Sequence, residues 1–132
     1  MSDYTHPVTG KKSCMPPDPD TKAPSFTPPK GACDAHCHVF GPHELFPYHP
    51  SSTYHPPDGP KEKLAELHAK LGIERAVIVQ ASCHGPDNRA MMDALNARPD
   101  MYRGVCIAND SFLTKNLQIL MLAVCGVSVS IL

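Results

Sequence analysis

Hydrophobic positions between residues 61 and 110 alternate between helical and strand spacing. The segment KEKLAELHAKLG places Leu64, Leu67, His68 and Leu71 at helical spacing, and Gly72 is a typical helix stop. His68 is expected at the margin of that face, without a functional role. RAVIVQ follows as a continuous apolar, β-branched run, which is typical of a strand buried on both faces.

A second helix and two more strands complete this pattern. After the loop ASCHGPDN, Asp87 or Asn88 is expected to cap a helix over residues 88–97, with Met91 and Leu95 facing inward. MYRGVCIAND has the composition of a strand, and CDAHCHVF supplies an earlier one. The order strand, helix, strand, helix, strand predicts an α/β protein with a parallel sheet and crossover helices.

Two proline-rich segments flank the first strand. Residues 1–30 contain little apolar material and are expected to form an extended or disordered arm. Residues 41–60 also carry many of the 15 prolines, together with Phe46, Tyr48 and Tyr54. We therefore expect the second segment to pack as an irregular loop, where binding residues often collect.

Composition excludes some classes of function. The net charge of −1 provides no basic field for nucleic acid or for an anionic membrane. The N-terminus lacks the apolar region of a signal peptide, so a cytoplasmic protein with reduced thiols is expected. None of the six cysteines forms a C-x-x-C pair, and Cys37 is expected to be a small packing residue rather than a ligand.

The first strand carries the candidate chemistry. His36 and His38 are two residues apart, so in an extended strand their imidazoles project from the same face, together with Asp34. Two adjacent imidazoles form either half of a metal site or a pair of hydrogen-bonding groups for a substrate. The alternative is a half-buried strand with two solvated histidines, and the spacing alone does not separate these interpretations.

The second strand contributes candidates at the same edge. Chemistry in parallel α/β proteins gathers at the carboxyl ends of the strands. His36 and His38 lie near the end of the first strand, while Ser82 and His84 lie just after the second. These residues are therefore expected to share one rim of the sheet.

Several blocks in order identify a family resemblance. GACDAHCHVFGP, FPY, LGIERAVIVQASCHGPDN and RGV resemble the amidohydrolase-related (amidohydrolase 2) family, and more narrowly its 2-pyrone-4,6-dicarboxylate lactonase branch. The similarity runs from about residue 16 to residue 110. It implies the N-terminal part of a (β/α)₈ TIM barrel, incomplete here with about three strands and two helices. It also implies hydrolysis of a lactone or related cyclic ester during the breakdown of aromatic compounds.

The resemblance also implies roles for individual residues. His36 and His38 match the histidine pair of the first strand, which binds a divalent cation such as zinc or manganese in metal-dependent members. In the lactonase branch the pair holds and polarises the substrate without metal. Tyr54 and Ser82 match residues that contact the carboxylates of the substrate, and His84 has a weaker supporting role. The implied partner is a small dicarboxylate lactone, with no nucleic acid and no membrane.

The resemblance implies that the other catalytic residues lie further along the sequences of family members. Lactone hydrolysis needs a base to activate water and cations to hold carboxylates. The family supplies these from a later histidine, an aspartate near the eighth strand, and arginines from the fourth strand onward. A barrel takes about 250 residues, so 132 residues are too few to close one. We expect this chain to be inactive by itself.

The last twenty residues differ in character from the rest. We divide the chain into an arm (1–30), a partial barrel (31–112) and an apolar tail (113–132). The tail is shorter and more interrupted than a membrane span of roughly 20 residues, and it lacks the spacing of a helix. Read one base out of frame, with a free choice of synonymous codons, it can spell AGGVRGVRFNF, which resembles the next helix end and the fourth strand of the family, including a substrate-binding arginine. We interpret the tail as frameshifted.

Two further functions remain open at this point. The chain could be a non-catalytic remnant of a lactonase-like hydrolase, which the tail supports. It could instead be a small metal-binding module that uses His36 and His38, with His84 as a third ligand. Stoichiometric zinc binding would separate the metal module from the remnant.

Overall fold

The structure is a computed structural model that describes residues 4–108. Three strands and two helices form in the order expected for an α/β protein. In chain order they are β1 (Cys33–Cys37), α1 (Lys61–Leu71), β2 (Arg75–Val79), α2 (Arg89–Ala97) and β3 (Tyr102–Val105). A short 3₁₀ turn, Ser82–His84, lies between β2 and α2.

The three strands form one parallel sheet in the order β1-β2-β3. Its register is regular between β2 and β3, where Ala76 pairs with Tyr102 and Ile78 with Gly104. Between β1 and β2 the register shifts, because Asp34 pairs with Ala76 but Cys37, three residues later, pairs with Ile78. β1 therefore contains a bulge over residues 35 and 36, immediately before the end of the strand.

The helix boundaries follow local signals in the sequence. Gly72 ends α1 in the left-handed conformation at φ 72°, as its position predicts. Asp87 accepts a hydrogen bond from the backbone N–H of Arg89 at the start of α2. Asn88 makes no side-chain cap. Its side-chain amide instead donates a hydrogen bond to the carbonyl of Ile107 and accepts one from the backbone N–H of Ile107. Asn88 thus joins the start of α2 to the chain that follows β3.

The core lies between the sheet and α2. Its central residues are Ile78 from β2, Met91 and Ala94 from α2, and Tyr102 from β3. Met91 faces inward as predicted, and Leu95 packs at the edge of this cluster. The helices cover one face of the sheet only, which we call the helix face; it carries Ala76 and Ile78, register partners of Asp34 and Cys37.

The opposite face of the sheet is more open. Val77 and Val79 alternate with the buried Ala76 and Ile78, and both are only half-buried. The prediction that β2 is buried on both faces is therefore wrong for the described residues. A continuous apolar run is typical of a strand with cover on each side, but here the cover lies on the helix face alone. We call the opposite side the open face.

The described part of the N-terminal arm is extended and contains no helix or multi-residue strand. It nevertheless packs against the loop of residues 41–60. Lys12 forms an isolated bridge with Tyr54, and the Ser13 hydroxyl donates to the carbonyl of His55 at 2.7 Å. Lys11 donates to the carbonyl of Ser52. These hydrogen bonds place the arm against the loop that holds Tyr54.

The third strand is shorter than predicted, and the tail is not described. β3 ends at Val105, so the segment CIA that follows it is irregular. The predicted boundary at residue 112 and the apolar tail lie outside the described residues. Within residues 4–108, no helix is long and apolar enough to cross a membrane.

Candidate active site

His36 and His38 lie side by side where β1 ends. His36 belongs to the strand, His38 is the first residue after it, and both side chains are exposed. Their rings meet edge to face, with centroids 5.1 Å apart. Since the intervening Cys37 pairs with Ile78 on the helix face, the two imidazoles project from the open face. The alternation of a strand thus places both imidazoles where a ligand could contact them together.

The orientation of His38 is set by β2. Its Nδ1 lies 2.9 Å from the carbonyl oxygen of Val79, the last residue of that strand. A carbonyl only accepts hydrogen bonds, so in the neutral ring Nδ1 carries the proton and Nε2 keeps its lone pair. A histidine that donates one ring N–H to a backbone carbonyl is the arrangement that orients metal ligands and general bases.

Asp34 does not share the open face with the histidines, and that expectation is wrong. The bulge in β1 adds a residue between Asp34 and Cys37, so that both side chains turn to the helix face. Asp34 Oδ2 lies 3.2 Å from Nε2 of His68 in α1. Its other oxygen, Oδ1, accepts a hydrogen bond of 3.1 Å from the backbone N–H of His36.

Tyr54 and Ser82 come together although 28 residues separate them. The Tyr54 hydroxyl lies 2.8 Å from Oγ of Ser82. Ser82 begins the 3₁₀ turn that follows β2, and its side chain is exposed. The loop of residues 41–60 therefore brings a second pair of hydrogen-bonding groups to the end of the sheet where the histidines lie.

Interactions between the loop and the β2–α2 connection fix this position. His49 donates its backbone N–H to the carbonyl of Cys83 at 2.7 Å. Gly85 has a positive φ of 57°, and a Cβ at this position would lie 3.0 Å from the His49 ring. The loop is closed at its base by two backbone hydrogen bonds between Phe40 and Gly59. A larger residue at position 85 would push the loop away from the site.

His84 lies beneath the site rather than at its surface. It is only 1% exposed, its ring packs against Tyr48, and its Nε2 accepts a hydrogen bond from the N–H of Gly41. Burial lowers the pKa of His84, and the carbonyl of Pro47 and the charge of Asp87 offset this only in part. This environment supports a structural role, and substrate contact by His84 stays a prediction.

The assignment of His68 to the margin of α1 is wrong, because His68 is the buried residue of that helix at 3% exposure. It faces Asp34 on one side and the Tyr102 hydroxyl on the other. The helical spacing contained the signal: His68 follows Leu64 by four residues and precedes Leu71 by three, which places it within the apolar stripe.

A family model and two curated relatives point to the family that the sequence blocks resemble. The family model described as Amidohydrolase (Amidohydro_2) matches residues 33–124. A 2-pyrone-4,6-dicarboxylate hydrolase of Comamonas testosteroni is 48% identical over 95 residues, which cover 72% of this chain and 31% of that protein. A 4-sulfomuconolactone hydrolase of Hydrogenophaga intermedia is 36% identical over 128 residues, or 96% of this chain and 42% of that protein.

Solved structures show the same fold. A probable 2-pyrone-4,6-dicarboxylic acid hydrolase of Acinetobacter baumannii superposes with a TM-score of 0.62 at 23% identity, over 75% of this chain and 36% of that one. A protein of Agrobacterium tumefaciens gives a TM-score of 0.60 at 26% identity, over 81% of this chain and 38% of that one. The chain therefore spans about a third of the length of these barrels.

Parallel strands joined by helices, with side chains gathered at the carboxyl ends, are common to α/β proteins, and the superposition on the solved structures identifies them here as part of an α/β barrel. The family match covers most of the chain, and the relatives named above are lactone hydrolases. This chain belongs to the amidohydrolase family. The resemblance seen in the sequence is confirmed, as are the three strands and two helices of the partial barrel. The family match also extends to residue 124, past the predicted boundary at residue 112.

Proposed function

We propose that this segment forms the lactone-binding part of a hydrolase that acts on a small lactone with anionic substituents. The observation that carries the proposal is the exposed pair of imidazoles, His36 and His38, with ring centroids 5.1 Å apart at the end of β1. The names of the two curated relatives add the substrate class, since one acts on a dicarboxylated pyrone and the other on a sulfonated muconolactone.

The proposed roles follow from the groups that each side chain offers. An imidazole can hydrogen-bond the lactone carbonyl and stabilise the charge that develops there during hydrolysis. Neutral His36 can donate to the carbonyl directly, whereas His38, whose Nδ1 proton is donated to Val79, would donate from Nε2 as the imidazolium. The hydroxyls of Tyr54 and Ser82 would donate to a carboxylate or sulfonate of the substrate. Activation of water is left to residues that the resemblance places on later strands.

A divalent cation is the second candidate ligand of the histidine pair. The neutral imidazole of His38, with Nδ1 held by a carbonyl, fits the chemistry of zinc or manganese ligation. The cation would polarise the lactone carbonyl when bound. Among residues 4–108, however, the one group of three potential ligands that converge is Asp34, Cys37 and His68, which excludes the histidine pair. The described residues therefore provide half of such a site.

A chimeric enzyme tests the proposed function. Residues 33–108 would replace their counterparts in the Comamonas testosteroni relative, and hydrolysis of 2-pyrone-4,6-dicarboxylate would be followed by the decrease in lactone absorbance. We expect an active chimera that loses activity by about 100-fold or more when His36→Ala and His38→Ala are introduced. His43→Ala is the matched control, since His43 is an exposed loop histidine paired with Asp58.

Each outcome of this experiment has a defined meaning. Unchanged hydrolysis in the His36→Ala and His38→Ala chimera would refute the assigned roles. Removal of metal with a chelator separates the two candidates: activity that survives supports direct substrate binding, whereas activity restored only by zinc or manganese supports ligation. Tyr54→Phe is expected to raise KM more than it lowers kcat, because its proposed role is to hold the substrate.

A further inference from the structure

A second cluster of polar side chains lies on the helix face, behind the histidine pair. It joins three elements: Asp34 from β1, His68 from α1 and Tyr102 from β3. His68 Nε2 lies 3.2 Å from Oδ2 of Asp34, and His68 Nδ1 lies 3.3 Å from the Tyr102 hydroxyl. His68 and Tyr102 are both buried, at 3% and 4% exposure. Polar groups at this depth are costly unless every one is hydrogen-bonded.

The donors and acceptors of the cluster have one consistent arrangement for a neutral imidazole. The Asp34 carboxylate accepts only, so His68 Nε2 carries the proton that it donates. His68 Nδ1 then accepts from the Tyr102 hydroxyl. Burial raises the pKa of Tyr102, so the phenol keeps the proton that it donates at neutral pH. The remaining oxygen of Asp34 accepts from the backbone N–H of His36.

This chain of hydrogen bonds ends at the bulge that presents the candidate site. One oxygen of Asp34 binds α1 through His68, and the other binds the backbone of His36, which lies within the bulge. We propose that His68 is a positioning residue: through Asp34 it holds the backbone of the bulge, and so keeps the ring of His36 beside that of His38. Its consequence for catalysis rests on the proposed function, whereas its effect on the histidine pair does not.

The same side chains offer an alternative, since donor atoms of Asp34, Cys37 and His68 all lie within 4.8 Å of one another. A zinc ion there would need the thiolate of Cys37. Burial, with the charge of Asp34 adding to it, raises the pKa of Cys37 to about 12. Both ring nitrogens of His68 and both oxygens of Asp34 already have hydrogen-bond partners. The arrangement therefore favours a hydrogen-bonded network over a metal site.

The test uses the full chain, labelled for NMR, without any lactone. Two signals report on the site: the nuclear Overhauser effect between the rings of His36 and His38, and the exchange rate of the His36 amide proton. His68→Leu keeps a side chain of similar volume but removes the hydrogen bonds to Asp34 and Tyr102. We expect it to abolish the Overhauser effect and to raise amide exchange at His36 by about tenfold, because the carboxylate that accepts from this amide is no longer held in place.

Matched variants separate positioning from general destabilisation. Met91→Ala opens a cavity between α2 and the sheet and is expected to destabilise the chain at least as much as His68→Leu does. It should nevertheless leave the Overhauser effect between the His36 and His38 rings intact. His68→Gln can still donate to Asp34 and should restore His36 exchange to within about threefold of wild type. Asp34→Ala removes the acceptors of both His68 and the His36 amide, and should abolish the Overhauser effect even where His68→Leu does not fold.

Two results would overturn the proposal. The first is an unchanged Overhauser effect between the His36 and His38 rings in folded His68→Leu and in Asp34→Ala. The second is a cobalt(II) titration that produces a thiolate charge-transfer band abolished by Cys37→Ser, which would make the cluster a metal site. If the chimera hydrolyses no lactone but His68→Leu still abolishes the Overhauser effect, the proposed function is refuted and the positioning role stands.

Discussion

Gly104 determines how closely α2 can approach the sheet. It lies in β3 on the helix face, and a Cβ built on it would be 2.7 Å from Cδ1 of Leu95 and 3.1 Å from Sδ of Met91. Carbon atoms in favourable contact lie about 3.5–4.0 Å apart, so Leu95 would have to move by roughly 1 Å. Leu95 is half-buried and can yield, whereas Met91 is buried in the core at 2% exposure.

Gly104→Ala is therefore expected to destabilise the chain through overpacking. Extra methyl groups in a packed core cost about 1–3 kcal/mol. The assay is urea unfolding followed by circular dichroism. With a slope of about 1 kcal/mol per M for a chain of this size, the midpoint should fall by roughly 1–3 M, with the slope itself unchanged. A midpoint so low that no folded baseline remains would also meet this expectation.

Gly59→Ala is the matched control for Gly104→Ala. A Cβ at Gly59 would meet Phe40 at 3.6 Å and Pro17 at 3.8 Å, which are ordinary van der Waals distances, and its φ lies outside the left-handed region. We expect Gly59→Ala to stay within about 1 kcal/mol of wild type, with any gain arising from a less flexible unfolded chain. Equal stabilities for the two variants would refute the packing argument.

Three further predictions concern the loop and its buried groups. Burial lowers the pKa of His84 in the folded chain. As the pH is lowered through 6.5, this histidine is therefore protonated in the unfolded chain before it is protonated in the folded chain. The free energy of unfolding should therefore decrease as the pH is lowered below 6.5, by up to about 1.4 kcal/mol per pH unit. Urea unfolding of wild type and of His84→Gln at several pH values measures this decrease, which His84→Gln should lack. Burial raises the pKa of Cys83 to about 11, so alkylation at pH 8 measured by mass spectrometry should label the exposed Cys14 and spare Cys83 until the chain unfolds. Ser82→Ala removes an exposed hydrogen bond to Tyr54, and thermal unfolding should show a decrease in stability of no more than about 1 kcal/mol.

The local elements could be predicted from the sequence because each depends on neighbouring residues. Helical spacing of leucines and the glycine after them located α1, and the β-branched run located β2. The His-x-His spacing placed His36 and His38 on one face, since alternation is a property of any extended strand. The ordered sequence blocks identified the family, which the family match confirms.

The bulge in β1 could not be predicted from local patterns. Strict alternation assigns Asp34 to the same face as His36, and only the pairing with β2 shows the extra residue that turns Asp34 to the helix face. A bulge depends on the register between two strands, and here each strand pairs with residues about 40 positions away in the chain. No local pattern in CDAHCHVF specifies it.

The sequence by itself determined the order of strands and helices, the family, and a pair of imidazoles that face the same way. Only the tertiary structure decided what surrounds them: Tyr54 against Ser82, Val79 against His38, and His68 between Asp34 and Tyr102. The physical reason is distance along the chain. Backbone conformation follows from adjacent side chains, whereas a hydrogen bond between two elements exists only after packing has brought them together.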